Sequence, residues 1–454
     1  MNIETITAKD FGENFKWGVA MSAAQNEGAY LKDGRGLSIW DTFARKSGKI
    51  KGGTKPTECC DFYHRYKDDL LLTAALGFNS FRFSISWSRI LPEGVGKVNK
   101  EGIAFYNKLI DECLINRLEP IITLYHWDLP NELEKKGGWT SHLMRKWFEH
   151  FTTICINAFG DRVQQWIVLN EPSGFTTLGY MIGQHAPGKM GLESYFAAIH
   201  NAALCTADGG RIIRSHSSNA IIGTAFSCSE VMPFKEELLH INAAAKADII
   251  LNRLFIEPVL GLGYPENPDF PFLEKLYLHS KAWKYARQMQ FDFDFIGIQN
   301  YFSLTVKHNN IIPYINASEV KASTRKVPHT DLGWEINPES FYRMIKRFWD
   351  YGNIKSILIS EGGACFKDQL KNGEVNDDRR IEYFQQYLAA ALKAKNEGVN
   401  INGYLAWTLT DNFEWAFGYN ARFGLIHVDF ETQLRTIKKS GYWFKGFLNG
   451  KSSC

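Results

Sequence analysis

Two glutamates stand where an amino-acid sequence places reactive groups. Glu171 closes the apolar run "QWIVLNEP" (165–172), and Glu361 closes the run inside "SILISEGGACF" (356–366), with Gly362 and Gly363 directly behind it. An acid that protonates a leaving oxygen, paired with a carboxylate that attacks or activates water, is the machinery of glycosidic-bond cleavage. Taken singly, each acid reads equally well as a solvated residue in a turn. Their company argues for more. Other apolar runs end in His126-Trp127-Asp128, in Gln299-Asn300-Tyr301 and in Trp407. Arg82 sits between Phe81 and Phe83 in a run with a buried character, and "DNFEWAFGY" (411–419) carries Glu414-Trp415. Amides, imidazoles and carboxylates bond sugar hydroxyls, while indole faces stack on the apolar faces of pyranose rings. Converging on one face, such a set is hard to explain by packing.

Convergence requires elements that bring distant segments to one face. Eight runs read as strands: 15–23, 80–90, 119–127, 165–172, 220–227, 293–302, 357–361 and 401–409. Helical patterns lie between them. In residues 102–118, Ile103, Tyr106, Ile110, Cys113 and Leu114 recur at helical spacing and are expected to face a core. Residues 70–76 end at Gly77, a C-terminal cap before the second strand. Strands alternating with crossover helices imply a parallel sheet. Eight such units with no linker between them predict an α/β fold, a single (β/α)₈ barrel domain over residues 1–454. A doubly wound sheet would want a Gly-rich phosphate loop after an early strand, which neither "KGG" nor "EGG" supplies. In a (β/α)₈ barrel the active site lies at the C-terminal ends of the strands, where these residues fall.

Bulk properties narrow the partners. Of 454 residues, 45% are hydrophobic and 22% charged, ordinary values for a globular chain, while the aromatic share of 14% is high. A net charge of +3 is too weak a field to suggest nucleic acid or an anionic membrane as partner. Charges at Glu4, Lys9, Asp10, Glu13 and Lys16 interrupt any signal-peptide core, and no apolar run is long enough to span a bilayer. The eight cysteines include the adjacent pair Cys59-Cys60 and Cys454, with no C-x-x-C spacing. The expectation is reduced, mostly buried thiols and a cytoplasmic location. No cofactor is expected. No metal is expected either, since only His126-x-Asp128 has ligand-like spacing at a strand end, and no strand ends in a Schiff-base lysine.

The motifs also resemble those of the family 1 glycoside hydrolases, typified by retaining β-glucosidases, over residues 15–447. "NEP" (170–172) is similar to the family's acid/base segment, which implies Glu171 as general acid/base beside Asn170. "ISEGG" (359–363) is similar to the nucleophile segment and implies Glu361 as nucleophile. By the same resemblance, "QNEG" (25–28) supplies Gln25, and "YHWDLP" (125–130) supplies His126 and Trp127, to sugar hydroxyls. Arg82, in "FRFSISWSRILPEG" (81–94), falls beside the nucleophile, and Tyr301 where a tyrosine bonds it. "AWTLTDNFEWAFGYNARFGL" (406–425) implies Trp407, Glu414, Trp415 and Phe423 around the terminal sugar, and Trp334 falls at an aglycone platform. Four departures touch this pattern: Ala24, Val168, Gln299-Asn300 and Gly362 stand where the family has other residues, which bears on the 2-hydroxyl and sugar preference.

The resemblance implies a β-glucosidase acting on terminal glucosyl residues of short β-glucosides or cello-oligosaccharides, with a small β-glycoside as partner and a homo-oligomer left open. Attack by Glu361 requires carboxyls about 5 Å apart and gives retention through a covalent glycosyl-enzyme. Glu171 is then expected to hold a raised pKa while Glu361 stays ionised beside Arg82. A carboxylate at 414 is expected to repel a 6-phosphate and favour an unphosphorylated sugar. The alternatives are a broad β-galactosidase or β-fucosidase, a transglycosidase, a 6-phospho-β-glucosidase and a non-catalytic sugar-binding protein.

Overall fold

The structure, a computed structural model, describes residues 6–450. Its centre is a closed parallel barrel whose neighbours follow chain order. The strands are β1 (Lys16–Ala20), β2 (Ser80–Ser84), β3 (Glu119–Tyr125), β4 (Gln165–Asn170), β5 (Ile221–Ser227), β6 (Phe295–Gln299), β7 (Ile357–Gly362) and β8 (Ile401–Trp407). All eight expected strands are present. Because helices cover the outside and side chains fill the inside, nearly every strand residue is buried. Parallel strands buried on both faces therefore read as continuous apolar runs rather than as alternating ones.

The principal helices of the outer layer are α1 (Phe62–Ala75), α2 (Lys100–Ile115), α3 (Met144–Phe159), α4 (Leu192–His216), α5 (Leu238–Asp248), α6 (Pro338–Trp349), α7 (Asp378–Asn396) and α8 (Lys439–Leu448). Gly77 follows α1 at φ +92°, and its N–H bonds the Ala74 carbonyl at 3.0 Å or less (2.9 Å), the expected left-handed stop. On α2 the core face is Phe105, Tyr106, Leu109, Ile110 and Cys113. Leu114 is not on it: at 43% exposure it points to solvent, one step past the apolar stripe that Ile110 and Cys113 define. The second run also stops short of Ile90. From Ser86 the chain enters a short helix at Trp87–Ile90 instead of continuing the strand.

The barrel interior is a separate apolar cluster. Ala20, Ile121, Ile167, Ala225, Phe295, Leu358 and Leu405 reach it from seven strands. On β2 the residue in register with Ala20 and Ile121 is Arg82. One strand thus contributes a guanidinium to an otherwise apolar layer, and a charge so buried must be paired. All seven cysteines among the described residues are free and buried, and Cys454 lies outside them. No helix among the described residues is long and apolar enough to cross a membrane.

Candidate active site

Arg82 finds its partners at the top of the barrel. Its Nη1 donates to Glu361 Oε1 at 2.7 Å and to the Ser360 carbonyl at 2.8 Å, its Nε to Thr123 Oγ1 at 2.9 Å, and its Nη2 to Asn170 Oδ1. Tyr301 donates its hydroxyl to the other Glu361 oxygen at 2.7 Å. One carboxylate is therefore held by a cation on one oxygen and a phenol on the other. Burial pushes the Glu361 carboxyl up, and Arg82, Tyr301 and Gln299 pull against that rise.

Glu171 lacks such an ion pair. It stands past the end of β4 at φ +43°, with its N–H on the Ala225 carbonyl at 2.8 Å and a side-chain hydrogen bond to Ser227 at the end of β5. Burial first, then the charge of Glu361, push its carboxyl well above the ordinary range. Of the two acids, Glu361 is thus the one equipped to carry the negative charge and Glu171 the one equipped to hold the proton. Trp127 (φ +76°) and Trp415 (φ +45°) also adopt left-handed backbone. Each such non-glycine residue costs roughly 1–2 kcal/mol, and three of them at one barrel mouth are strain held in place by the packing around the site.

Asn170 ties the pieces together. Its Oδ1 accepts from Arg82 and from Gln299 Nε2 (2.7 Å), and its Nδ2 donates to His126 Nε2 at 3.0 Å. With Nε2 accepting, His126 carries its proton on Nδ1, which is buried and has no partner within the protein. Burial and the nearby Arg82 hold the imidazole well below its usual pKa, so it is neutral. A neutral ring with one unused buried N–H is a donor for a ligand hydroxyl. Trp127 differs from expectation: its Nε1–H is already given to the Asn170 carbonyl at 2.9 Å, and its ring stacks on Trp415 at 4.8 Å.

Gln25 and Glu414 form the far corner. Gln25 Nε2 donates to Glu414 Oε2 at 3.1 Å, and Ser22 fixes the amide oxygen at 2.7 Å. Burial and the charge of Glu361 push Glu414 up to about 8, against hydrogen bonds from Gln25 and Trp407. At neutral pH this acid is mostly protonated in the free site, so charge repulsion of a phosphate there is weaker than a carboxylate would give. The residues at this corner (Gln25, Trp407, Glu414 and Trp415) nevertheless offer no cation. Trp407 lies over His126 at 5.8 Å, while Trp334, Tyr301 and Phe423 form an aromatic triangle with centroids 5.7–6.0 Å apart. Every expected residue is therefore placed at this mouth or packed against one that is.

The loops that carry these groups are pinned from behind by buried charges of alternating sign. Arg380 bonds the Ala364 and Arg422 carbonyls at 3.2 and 3.0 Å and grips Asp368 with both terminal nitrogens. Lys438 joins Asp368 to Asp411 (2.6 Å to the latter), and Asp411 also takes Arg422 at 2.6 Å. Such buried pairs persist because each charge is matched. The network ties the exit of β7 to the loop that presents Glu414 and Phe423.

The glycines behind Glu361 have a different reason from the one their type suggests. Neither adopts a left-handed backbone. A Cβ on Gly363 would lie 2.0 Å from the Trp407 carbonyl oxygen, and one on Gly362 would lie 2.3 Å from the Tyr404 hydroxyl. They permit β7 and β8 to meet closely. Gly363→Ala is therefore expected to lower the stability by about 1–3 kcal/mol or more, seen in the denaturation midpoint, with turnover falling as the Trp407 segment shifts. Unchanged values would show that the close approach is not needed. Two further departures are packed in the core. Val168 faces outward against Gly209 of α4, and Ala24 packs in the outer core cluster.

Some partners were not foreseen. Ser227 on Glu171 and Thr123 on Arg82 end or line strands but carry no signal of type or spacing. Trp40, 4.6 Å from Trp415, reads in sequence as one more core aromatic. Among the described residues no group of three His, Cys, Asp or Glu side chains is placed to hold a metal ion.

Comparison with known proteins places this geometry in a lineage. A β-glucosidase A of Thermotoga maritima is 39% identical over 445 residues, covering 98% of each chain. A 6-phospho-β-galactosidase of Clostridium acetobutylicum is 35% identical over 460 residues, covering 96% of each. The solved structure described as β-glucosidase from Thermotoga maritima in complex with glucoimidazole matches with a TM-score of 0.92 at 38% identity, covering 97% of this chain and 99% of that one. The model of the family described as Glycosyl hydrolase family 1 matches residues 7–452, and with these likenesses over nearly its whole length the chain belongs to glycosyl hydrolase family 1.

Proposed function

We propose that the chain is a retaining exo-β-glucosidase that removes terminal non-reducing β-D-glucosyl residues from short β-glucosides or cello-oligosaccharides. The observation that carries this reading is the unequal treatment of two acids at one barrel mouth. Glu361 is bonded by Arg82 and Tyr301, and Glu171 has no ion pair. In the proposed cycle Glu361 attacks the anomeric carbon while Glu171 gives its proton to the leaving oxygen. The ester that forms removes the charge of Glu361, the Glu171 pKa falls, and Glu171 takes a proton from the incoming water. Gln25, His126, Asn170 and Glu414 hold hydroxyls, Trp407, Trp415 and Phe423 enclose the ring, and Trp334 offers a face to the aglycone. Trp127 and Arg82 hold these groups in place.

The absence of a cation among the residues at the Gln25–Glu414 corner favours an unphosphorylated sugar. Breakdown of cellulose fragments is the process such a substrate implies. We also propose that the whole chain forms one barrel domain and works in the cytoplasm, supported by the buried free thiols. A panel of aryl β-glucosides, β-galactosides, β-fucosides, 6-phospho-β-glucosides and cello-oligosaccharides tests the function, with the first-formed anomer followed by NMR. The glucoside is expected to be the fastest aryl substrate and to release the β-anomer first. The α-anomer would refute the mechanism. Turnover of only the 6-phosphate would refute the substrate, and no turnover at all would point to a sugar-binding protein.

A further inference from the structure

Gln25 sits on a single helical turn, Ala23–Asn26, which at four residues is too short to hold its own shape in water. Its position therefore depends on what bonds its backbone from outside. Cys59 Sγ lies 3.4 Å from the Ala24 carbonyl oxygen, the Phe413 nitrogen 3.1 Å from that of Gln25, and Cys60 Sγ 3.2 Å from that of Asn26. A carbonyl only accepts, so both thiols donate. Burial raises both thiols, Cys60 to about 11, which keeps the protons on sulfur. With its proton so placed, the Cys60 sulfur accepts from Asn26 Nδ2 at 3.4 Å. In an extended chain adjacent side chains point to opposite faces. Cys59 stands at φ +53°, and this left-handed turn brings two neighbouring thiols onto one segment. The Tyr419 hydroxyl accepts from the Cys59 N–H at 3.2 Å, while Gln433 and Arg435 donate to the Cys59 and Cys60 carbonyls, which holds that turn in place.

We infer that Cys59 and Cys60 are positioning residues for the glycosidase reaction, clamping the two carbonyls that flank Gln25 so that its amide stays aimed at Glu414. This rests on the proposed reading of Gln25 and Glu414 as sugar-binding groups. The Gln25 amide lies 3.1 Å from Glu414 Oε2 and 2.7 Å from Ser22 Oγ, and Ser22 is the residue that opens the same turn. Phe413, the neighbour of Glu414, holds the Gln25 carbonyl itself. The turn and the loop that carries Glu414 are thus registered to each other by one backbone bond, with a thiol bond on either side of it. Removing the two S–H donors leaves the buried Ala24 and Asn26 carbonyls without those bonds. A turn this short recovers them by shifting, which moves the Gln25 amide relative to Glu414. A thiol suits the task, because it packs like a small apolar group and still supplies a weak donor.

The test is a double-mutant cycle between the cysteine pair and Gln25, read as kcat and KM for an aryl β-glucoside and an aryl β-galactoside. Cys59→Ala with Cys60→Ala is expected to raise KM for the glucoside by about 3- to 10-fold, with kcat changed less, and to shrink the preference between the two sugars. Cys59→Ser with Cys60→Ser keeps two donors and is expected to restore most of that loss. In a Gln25→Ala background the alanine pair is expected to cost nothing further, because groups that act through one residue do not add. Lost stability alone lowers the Tm and the amount of folded enzyme but moves neither KM nor the sugar ratio. An unchanged KM and sugar ratio in the alanine pair, a loss that adds in full to that of Gln25→Ala, or a serine pair no better than the alanine pair would each overturn the inference. If the double alanine variant does not fold, Cys59→Ala and Cys60→Ala are taken through the same cycle singly, with the same outcomes deciding. A wild type that turns over neither glycoside would refute the underlying reading and the inference with it, whereas the outcomes above are all read against an active wild type.

Discussion

Glu361→Gly is expected to lower turnover of an aryl β-glucoside by on the order of 10⁴–10⁶, and azide is expected to restore part of it with inverted stereochemistry. The carboxylate of Glu361 is held by Arg82 at 2.7 Å and by Tyr301 at 2.7 Å, so its removal opens an anion-sized gap lined by one cation and one O–H donor. A small anion fits that gap on electrostatic grounds, and it lies on the face of the sugar that Glu361 would attack. Azide bound there reaches the anomeric carbon once, without a second displacement, so the product is the α-glycosyl azide. The substrate needs an activated leaving group, because only one step has to proceed. Wild-type turnover in Glu361→Gly, or rescue that gives the β-azide, would remove Glu361 from the nucleophile's role. A far-ultraviolet circular dichroism spectrum matching the wild type excludes simple unfolding, a needed control because Arg82 is left buried without its partner.

What could be read in advance follows from how a barrel encodes itself. Its strands are buried on both faces, so all eight appear as apolar runs that need no partner for recognition. Glu171, Glu361 and Arg82 stood out because a charge within or closing such a run requires an explanation. The helix face of α2 was read with one error, Leu114, because a five-residue apolar stripe does not fix its own edge to within one position. The glycines at 362 and 363 show a deeper limit. Their type suggests unusual dihedral angles, whereas the reason is the distance from β7 to the Trp407 carbonyl and the Tyr404 hydroxyl, a property of stagger between strands. Residues that act through a partner were invisible for the same cause. Ser227 and the chain Arg380–Asp368–Lys438–Asp411 acquire their roles only when segments far apart in sequence are brought within 3 Å or so, and no local pattern marks them. Trp127 shows the converse: its motif put it in the site, but its N–H was already committed to the Asn170 carbonyl.

The second large effect belongs to Glu171, and its sign can be worked out. Burial and the charge of Glu361 hold its carboxyl well above the ordinary range, and the protonated form is the one that can assist departure of the aglycone. Activity must then fall as pH rises through that raised value, which gives the basic limb of the kcat/KM profile, while loss of the Glu361 charge gives the acidic limb. Glu171→Gln is expected to lower turnover of poor leaving groups by about 10²–10⁴, to leave a dinitrophenyl glucoside able to form the glycosyl-enzyme, and to lose the basic limb. Azide should release that intermediate as the β-azide, the opposite anomer from Glu361→Gly, since the displacement now follows a first inversion. A basic limb that survives the substitution would assign it to another group, Glu414 at about 8 being the nearest candidate. Stability supplies an independent check. A folded-state pKa raised above the unfolded one means that the wild-type fold binds Glu171's proton more tightly than the unfolded chain does. That contribution is fully present below the ordinary carboxylate range and is lost as pH climbs to the raised value. Glutamine has no proton to lose, so the Tm of Glu171→Gln relative to wild type should rise with pH across that window and level off above it. A difference that stays flat would mean that the fold does not penalise the charge on Glu171, and the acid/base assignment would lose its physical basis.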